Sequence, residues 1–243
     1  MANVKRDARG LVITVAIFAI WAGSLGFLLS RSSVTMPLAF FPVGIVWMTF
    51  LYTGLFIAAH DAIHGTVWPG HPRVNTWTGR VILFLYALFP YRKVREKHFQ
   101  HHKTPGRLAD PDYHDGRHTG FLAWYVHFMR NYLTAFQVVG MAVLFNLLHH
   151  ALGVALPNLL AFWVAPALLS TLQLFTFGTY LPHREPPGGY ANVHHARSLD
   201  YPVWLSFLAC YHFGYHWEHH SHPRTPWWQL PQRWRARLAG EGG

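Results

Sequence analysis

Long apolar stretches alternate along the chain with polar segments that are rich in histidine. The four long apolar stretches are residues 11–29, 38–59, 121–148 and 156–181. Each is close to or above the roughly 20 apolar residues that a helix needs to cross a bilayer. Two shorter runs, 81–91 and 203–211, fit buried or interfacial segments, and the first could form a re-entrant hairpin with its neighbours. The pattern predicts an all-α polytopic membrane protein with about four spanning helices plus short interfacial or re-entrant helices.

Four spanning helices would place both chain ends, together with loops 60–120 and 182–243, on one side of the membrane. Of the 20 Lys and Arg residues, only Arg31 then falls on the opposite side. Because cytoplasmic loops carry the excess of Lys and Arg, the shared side is expected to be cytoplasmic. The sequence shows no internal repeat, so we expect residues 1–243 to form a single domain.

The composition supports a membrane protein. Hydrophobic residues make up 51% of the chain and charged residues 12%, against about 25% charged residues in an average soluble domain. The formal net charge of +10 would suggest nucleic-acid binding in a soluble protein. In a membrane protein it indicates loops that face anionic lipid, so we expect membrane lipid and no nucleic acid as a partner. The single cysteine, Cys210, excludes an internal disulfide.

Histidines recur in three short motifs with helical spacing. The motifs are HDAIH at 60–64, HFQHH at 98–102 and HWEHH at 216–220. Offsets of three and four residues bring side chains to one face of a helix, with Cβ atoms about 5–6 Å apart. At that distance two or three imidazoles can reach a common metal ion. Three such motifs, all on the side predicted to be cytoplasmic, therefore predict metal binding.

Eight imidazoles exceed what one ion accepts, since a structural zinc takes four ligands and a catalytic zinc three. Two ions fit the number, and imidazole suits zinc, copper, iron and nickel. Four acidic residues lie beside the histidines and are expected to accept the second ring N–H of a ligand. These residues are Asp61, Asp110, Asp112 and Glu218. Two redox ions at the mouth of an apolar bundle would suit O₂-dependent attack on a C–H bond of a lipid-soluble hydrocarbon.

Several longer stretches resemble a known family, the membrane-bound histidine-motif oxygenases, which include fatty-acyl desaturases, alkane hydroxylases and carotenoid hydroxylases and ketolases. The stretches are HDAIHG at 60–65, HFQHHKTPG at 98–106, ADPD at 109–112, FGTYLPHR at 177–184, HHARS at 194–198 and YHFGYHWEHH at 211–220. Within the superfamily they are most similar to bacterial β-carotene ketolases. The resemblance covers nearly all of the chain from about residue 40.

The resemblance implies a di-iron, O₂-dependent carotenoid 4-ketolase of the bacterial inner membrane, with a histidine-rich di-iron cap facing the cytoplasm. It would oxidise the C4 methylene of β-ionone rings, converting β-carotene to echinenone and canthaxanthin and 3-hydroxylated rings to astaxanthin-type products. The implied ligands of the two iron ions are His60, His64, His98, His101, His102, His216, His219 and His220, with His183 as a ninth. For His194 and His195, iron binding and a supporting role stay open.

Electrons would have to come from another protein, because the sequence has no GxGxxG nucleotide-binding motif. A basic run, Arg92, Lys93, Arg95 and Lys97, would attract an acidic ferredoxin-type donor or, alternatively, anionic lipid. The rival functions are a carotenoid hydroxylase or lipid desaturase of the same superfamily and, from other classes, a membrane haem electron-transfer protein and a metal transporter.

Overall fold

A computed structural model describes residues 7–33 and 35–240, and within these ranges the regular elements are all helical. The helices are α1 (Arg9–Ser30), α2 (Phe40–His64), α3 (Pro72–Ala87), α4 (Tyr91–Lys103), α5 (Phe121–Tyr132), α6 (Ala135–Ala151), α7 (Leu156–His183), α8 (Val203–Cys210), α9 (His216–Ser221) and α10 (Leu230–Leu238). The all-α prediction is therefore confirmed for the described residues.

Three helices, α1, α2 and α7, are long and apolar enough to cross a membrane, as predicted. The central one is α2, which packs against both of the others. Gly44 of α2 lies against the ring of Phe162 in α7, and a Cβ at this position would come within 2.5 Å of that ring. About two and a half turns of α2 nearer the histidines, Thr53 Oγ1 donates to Gln173 Oε1 at 2.6 Å. These contacts hold α2 and α7 side by side, pointing in the same direction.

The predicted span at 121–148 differs from the structure, because the chain bends by 88° between α5 and α6. The bend has a cap on each side. Lys93 Nζ donates to the carbonyls of Tyr132 and Leu133 at the end of α5, and Thr134 Oγ1 accepts from the backbone N–H of Gln137 at the start of α6. Side chains therefore satisfy backbone groups that the bend leaves without helical partners.

The short apolar run at 81–91 covers the end of α3 and the turn into α4. Leu88 adopts a left-handed conformation (φ 54°), which ends α3 and lets the chain reverse into α4. The side chain of Tyr86 reaches α7, where its hydroxyl bonds to Ser170 Oγ. The α3–α4 hairpin thus packs against the long helices and carries the second histidine motif back towards the first.

Both described ends of the chain lie at the same end of the helix bundle as the histidines. Gly10 in α1 touches the backbone oxygens of Thr66 and Val67 and the ring of Trp228. At the opposite end, Asn158 donates to the carbonyls of Leu28 and Arg31. The expected placement of loops 60–120 and 182–240 on one side, with Arg31 on the other, agrees with these contacts.

Candidate metal centre

Nine histidines meet at the end of the bundle and form two adjacent groups. The five-histidine group consists of His60, His64, His98, His102 and His219, and the four-histidine group consists of His101, His183, His216 and His220. In each group the candidate ligand atoms all lie within 4.8 Å of one another. The set contains all eight histidines of the three motifs together with His183.

The Nε2 atoms point inward in both groups. In the five-histidine group the Nε2–Nε2 distances are 3.2 Å for His60–His219, 2.6 Å for His64–His98, 3.1 Å for His98–His102 and 2.9 Å for His102–His219. In the four-histidine group they are 3.0 Å for His101–His220 and 3.1 Å for His216–His220. Two imidazoles that bind one ion at about 2.1 Å and at right angles to each other have nitrogens about 3 Å apart, so the spacing fits shared ions.

Helical geometry divides each motif between the groups. In α4, His98 and His102 are four residues apart and share a face, whereas His101 points to the other group. In α9 the assignment is reversed, since His216 and His220 belong to the four-histidine group and His219 to the five-histidine group. Neighbouring residues on a helix point about 100° apart, so each of these two helices can serve two centres at once.

His183 reaches the four-histidine group from the last residue of α7. A π-helical turn at Thr176–Tyr180 precedes it, and Pro182 stands immediately before it. Its Nδ1 lies 2.8 Å from the carbonyl oxygen of His195 and donates to it. The Nε2 atom is buried and has no hydrogen-bond partner in the described structure. A cation bound between the four imidazoles would explain why this buried nitrogen has no hydrogen-bond partner.

Asp110 supports the four-histidine group from the ADPD loop. Its carboxylate oxygens lie 3.0 and 2.9 Å from Nδ1 of His101 and also accept from the backbone N–H groups of Gly106 and Asp112. Because a carboxylate accepts the Nδ1 proton, the Nε2 lone pair of His101 is left facing the group. Burial opposes a charge on His101, but Asp110 and Asp112 outweigh it and raise its pKa above the usual value.

Asp112 and Asp61 lie close to histidines without bonding to them. The nearer carboxylate oxygen of Asp112 is 3.8 Å from Nδ1 of His101. Its other oxygen accepts from the Tyr132 hydroxyl, and burial raises the pKa of Asp112 to about 6. Asp61 is 3.7 Å from Nδ1 of His60 and accepts from the backbone N–H of Trp227. Both carboxylates border the histidines as expected, but their hydrogen bonds go elsewhere.

Glu218 differs from the expectation that it would accept a histidine N–H. Its side chain is buried and faces away from the imidazoles. It accepts from Arg237 Nε at 2.6 Å and from the Ser198 hydroxyl. The physical reason is again helical geometry, because Glu218 lies between His216 and His219 and therefore points to the opposite face of α9. Glu218 thus links α9 to the C-terminal helix α10.

His194 and His195 lie outside both groups. The ring of His194 is 5.9 Å from that of His220, measured between centroids. His195 stacks on Tyr190 at 4.4 Å and takes part through its backbone carbonyl, which accepts from His183. The loop at 194–198 therefore supports the four-histidine group through its backbone and not through an imidazole.

Among the histidines of the two groups that lie outside α2 and α7, all except His101 have a lowered pKa and are therefore neutral near pH 7. Burial and neighbouring histidines lower the pKa of His98, His216, His219 and His220 well below the usual value. For His102 the same effects lower the pKa to about 2. Neutral imidazole is the form that binds metal ions, so the protein holds these side chains ready for coordination.

An apolar cavity reaches the histidines from within the bundle. Histidines from both groups form part of its wall, namely His60, His98, His101 and His216. Aromatic side chains form much of the remainder, namely Phe56, Tyr86, Phe89, Phe128, Tyr132 and Phe213. Because its lining is mainly apolar, its wall selects an apolar ligand.

Sequence reasoning missed several supporting residues. Tyr190 donates to the carbonyl of His183, and Trp124 and Asn131 of α5 donate to the carbonyls of Asp112 and Pro111. The ADPD and HHARS stretches resemble the corresponding stretches of the family. This resemblance indicated that their loops are important. Nothing in the sequence indicated which backbone carbonyls would accept.

Comparisons with known proteins agree with this geometry. The family model for fatty acid desaturases matches residues 35–141 and 129–241. A β-carotene ketolase of Paracoccus sp. (strain N81106 / MBIC 01143) is 39% identical over 229 residues, which cover 92% of this chain and 91% of that protein. A β-carotene ketolase of Haematococcus lacustris is 42% identical over 201 residues, which cover 80% of this chain and 62% of that protein.

A zeaxanthin 4-ketolase of Chlamydomonas reinhardtii is 38% identical over 240 residues, covering 94% of this chain and 54% of that protein. The chain therefore spans only about half to three-fifths of the length of these two algal relatives, whereas it matches the Paracoccus protein over nearly all of both chains. The family match includes all three histidine motifs. The chain belongs to the fatty acid desaturase family and, within it, to the branch that contains the β-carotene ketolases.

Proposed function

We propose that this chain is a carotenoid 4-ketolase, a non-haem di-iron oxygenase that oxidises the C4 methylene of β-ionone rings with O₂. One observation carries the proposal. Nine imidazoles converge in groups of five and four at the end of an apolar cavity, in a chain whose relatives at 38–42% identity are named as ketolases.

The two groups would each hold one iron ion through Nε2 atoms. Iron fits better than zinc because oxidation of a C–H bond with O₂ needs a redox-active ion, and zinc has no redox chemistry. When bound, the two ions supply the activation of O₂. The protein's own part is to orient the imidazoles, through Asp110 and the His195 carbonyl, and to keep water away by means of the aromatic cavity wall.

The chemistry requires two oxidations at the same carbon. Each hydroxylation consumes one O₂, two electrons and two protons and releases one water molecule. The second hydroxylation gives a geminal diol, which loses water to leave the ketone. C4 is allylic to the polyene, so its C–H bond is weak and is the favoured point of attack. β-Carotene would yield echinenone and then canthaxanthin, and 3-hydroxylated rings would yield astaxanthin-type products.

The electrons would come from a ferredoxin-type protein that docks near α4. Arg92 and Arg95 are exposed in the first two turns of this helix, whose later turns carry His98 and His102. A basic surface attracts an acidic donor over a range limited by salt. Charge reversal of Arg95 to Glu should slow electron transfer from such a donor, whereas reversal of the exposed Arg233 in α10 is the matched control.

The proposed location is a bacterial inner membrane, with the histidine centre facing the cytoplasm. Support comes from the distribution of charge, because Arg31 lies at the end of the bundle opposite to the histidines. Accessibility labelling of single cysteines placed at either end, with the buried Cys210 replaced by Ala, would test the orientation in intact cells.

The decisive experiment is pigment analysis of a β-carotene-producing bacterial strain that expresses the chain. The wild type should form 4-keto products, and His101→Ala should form none. His118→Ala is the control, because His118 is exposed and pairs only with Asp115. A wild type that stops at a hydroxylated ring, or that desaturates lipid instead, would overturn the ketolase proposal. A Soret band in the purified protein would indicate a haem protein.

A further inference from the structure

A second apolar space lies beside the cavity, at the bend between α5 and α6. This groove is bounded by the end of α3, by both helices of the bent pair and by the middle of α7. Three of its lining side chains, Leu133, Val138 and Leu168, are between 43% and 59% exposed. Because α6 and α7 are membrane-facing candidates, the open side of the groove faces lipid.

The groove adjoins the cavity that reaches the histidines. Tyr86, Phe89, Met129 and Thr171 line both spaces. A molecule in the groove is therefore separated from the histidines only by side chains of the cavity. Met129 is half-buried at this junction, and its unbranched side chain can change rotamer to widen the passage.

The chemistry of the wall restricts what the groove can bind. Of the described residues that line it, none is charged. Its three polar side chains are already committed, since Tyr86 bonds to Ser170, Thr171 to the Tyr125 hydroxyl and Gln137 to the Ala87 carbonyl. An acyl lipid with a polar head, or a carboxylic acid, would find no partner here. A long hydrocarbon needs no polar partner and therefore fits this apolar wall.

We propose that the groove binds the polyene chain of the carotenoid and is the lateral passage by which a ring enters the cavity from the bilayer. The inference rests on the proposed function, which supplies the hydrocarbon substrate. The ring reaches the histidines past Met129 while the rest of the molecule stays in the groove. Since one ring enters at a time, the mono-ketone must withdraw and re-enter in reverse before its second ring is oxidised.

Neighbouring residues on α6 and α7 provide matched variants. Val138 lines the groove and Val139 does not, although they are 59% and 62% exposed. On α7, Leu168 lines the groove and the adjacent exposed Leu169 does not. Val138→Trp and Leu168→Trp should block the groove, whereas Val139→Trp and Leu169→Trp add the same bulk outside it.

The readouts are 4-keto product formation and the amount of β-carotene that copurifies with the protein in detergent. We expect Val138→Trp to lower both by about tenfold or more, Val139→Trp to change neither by more than about twofold, and Val138→Ala to retain both. Iron content should stay the same in all variants, which shows that the centre has folded.

The groove proposal would be overturned if the two readouts were the same for Val138→Trp and Val139→Trp, and again the same for Leu168→Trp and Leu169→Trp. That result would mean that bilayer lipid fills this space. A wild type that binds β-carotene in the groove but forms no 4-keto product would leave the passage standing and remove the ketolase function. The two proposals therefore fail separately.

Discussion

The two histidine groups differ in how the protein supports them. The five-histidine group takes two residues each from α2 and α4 and one from α9, and on these helices its pairs are four residues apart. The four-histidine group draws one residue each from α4 and α7 and two from α9. Two of its imidazoles are oriented by hydrogen bonds, from His101 to Asp110 and from His183 to the His195 carbonyl.

The group with fewer ligands therefore has more hydrogen bonds that orient its imidazoles. A group of five imidazoles on regularly spaced helices keeps four ligands when one is lost. A group of four falls to three, and one of its members, His183, comes from a helix end shaped by a π-helical turn and Pro182. The four-histidine group should therefore be the more fragile of the two.

The largest expected effect is the loss of one imidazole from each group. His183→Ala should lower the iron content from about two ions per chain to about one and abolish ketone formation, because the four-histidine group loses one of its four ligands. His64→Ala leaves four imidazoles and should retain both ions, with lower activity. Metal analysis of the purified variants tests this, and equal iron loss in both would break the comparison.

The next effect concerns the carboxylates beside each group. Asp110→Asn removes the acceptor that orients His101, and we expect about 10–100-fold lower iron affinity or activity. Asp61→Asn should cost no more than about threefold, since Asp61 lies 3.7 Å from His60 and a contact of that length is not a hydrogen bond. Competition with an iron chelator measures both variants, and a larger effect at Asp61 would contradict the prediction.

A smaller effect is expected when Glu218 is replaced, because this residue lies in the third motif but faces α10. Glu218→Gln weakens its bonds to Arg237 and Ser198 and should cost about 1–3 kcal/mol of stability, a Tm lower by about 2–6 °C. Iron stoichiometry should not change. Thermal unfolding and metal analysis of the same sample separate the two roles, and loss of iron at ordinary temperature would place Glu218 among the groups that orient the histidines.

The smallest effect is expected at His194, which lies 5.9 Å from the ring of His220. His194→Ala should change ketone formation by no more than about twofold, as for other residues that make no contact with a centre. A loss as severe as that of His183→Ala would instead add His194 to the four-histidine group and remove the difference in ligand number between the two groups.

Much of this architecture follows from local patterns. Uninterrupted apolar stretches predicted the three long helices, because only their length and composition matter for crossing a bilayer. Spacings of three and four residues predicted that His98 and His102 share a face. His183 was identified through the family resemblance of FGTYLPHR and not from spacing, since its partners are distant in the sequence.

Other features depend on distant residues. The stretch 121–148 is apolar throughout its length apart from a few residues, yet the chain bends by 88° there, and Lys93 from α4 caps the end of α5 at the bend. Glu218 was expected to face a histidine and instead faces Arg237. In both cases the deciding partner lies at least 19 residues away along the chain.

The sequence by itself determined that this chain is helical, enters a membrane and concentrates imidazoles at one end, since hydropathy and helical periodicity are properties of neighbouring residues. Only the tertiary structure decided the division into five and four, the partner of each carboxylate and the apolar cavity that reaches the histidines. The physical reason is that these features depend on the packing of helices from distant parts of the chain, and a contact between distant residues leaves no periodic trace in either segment.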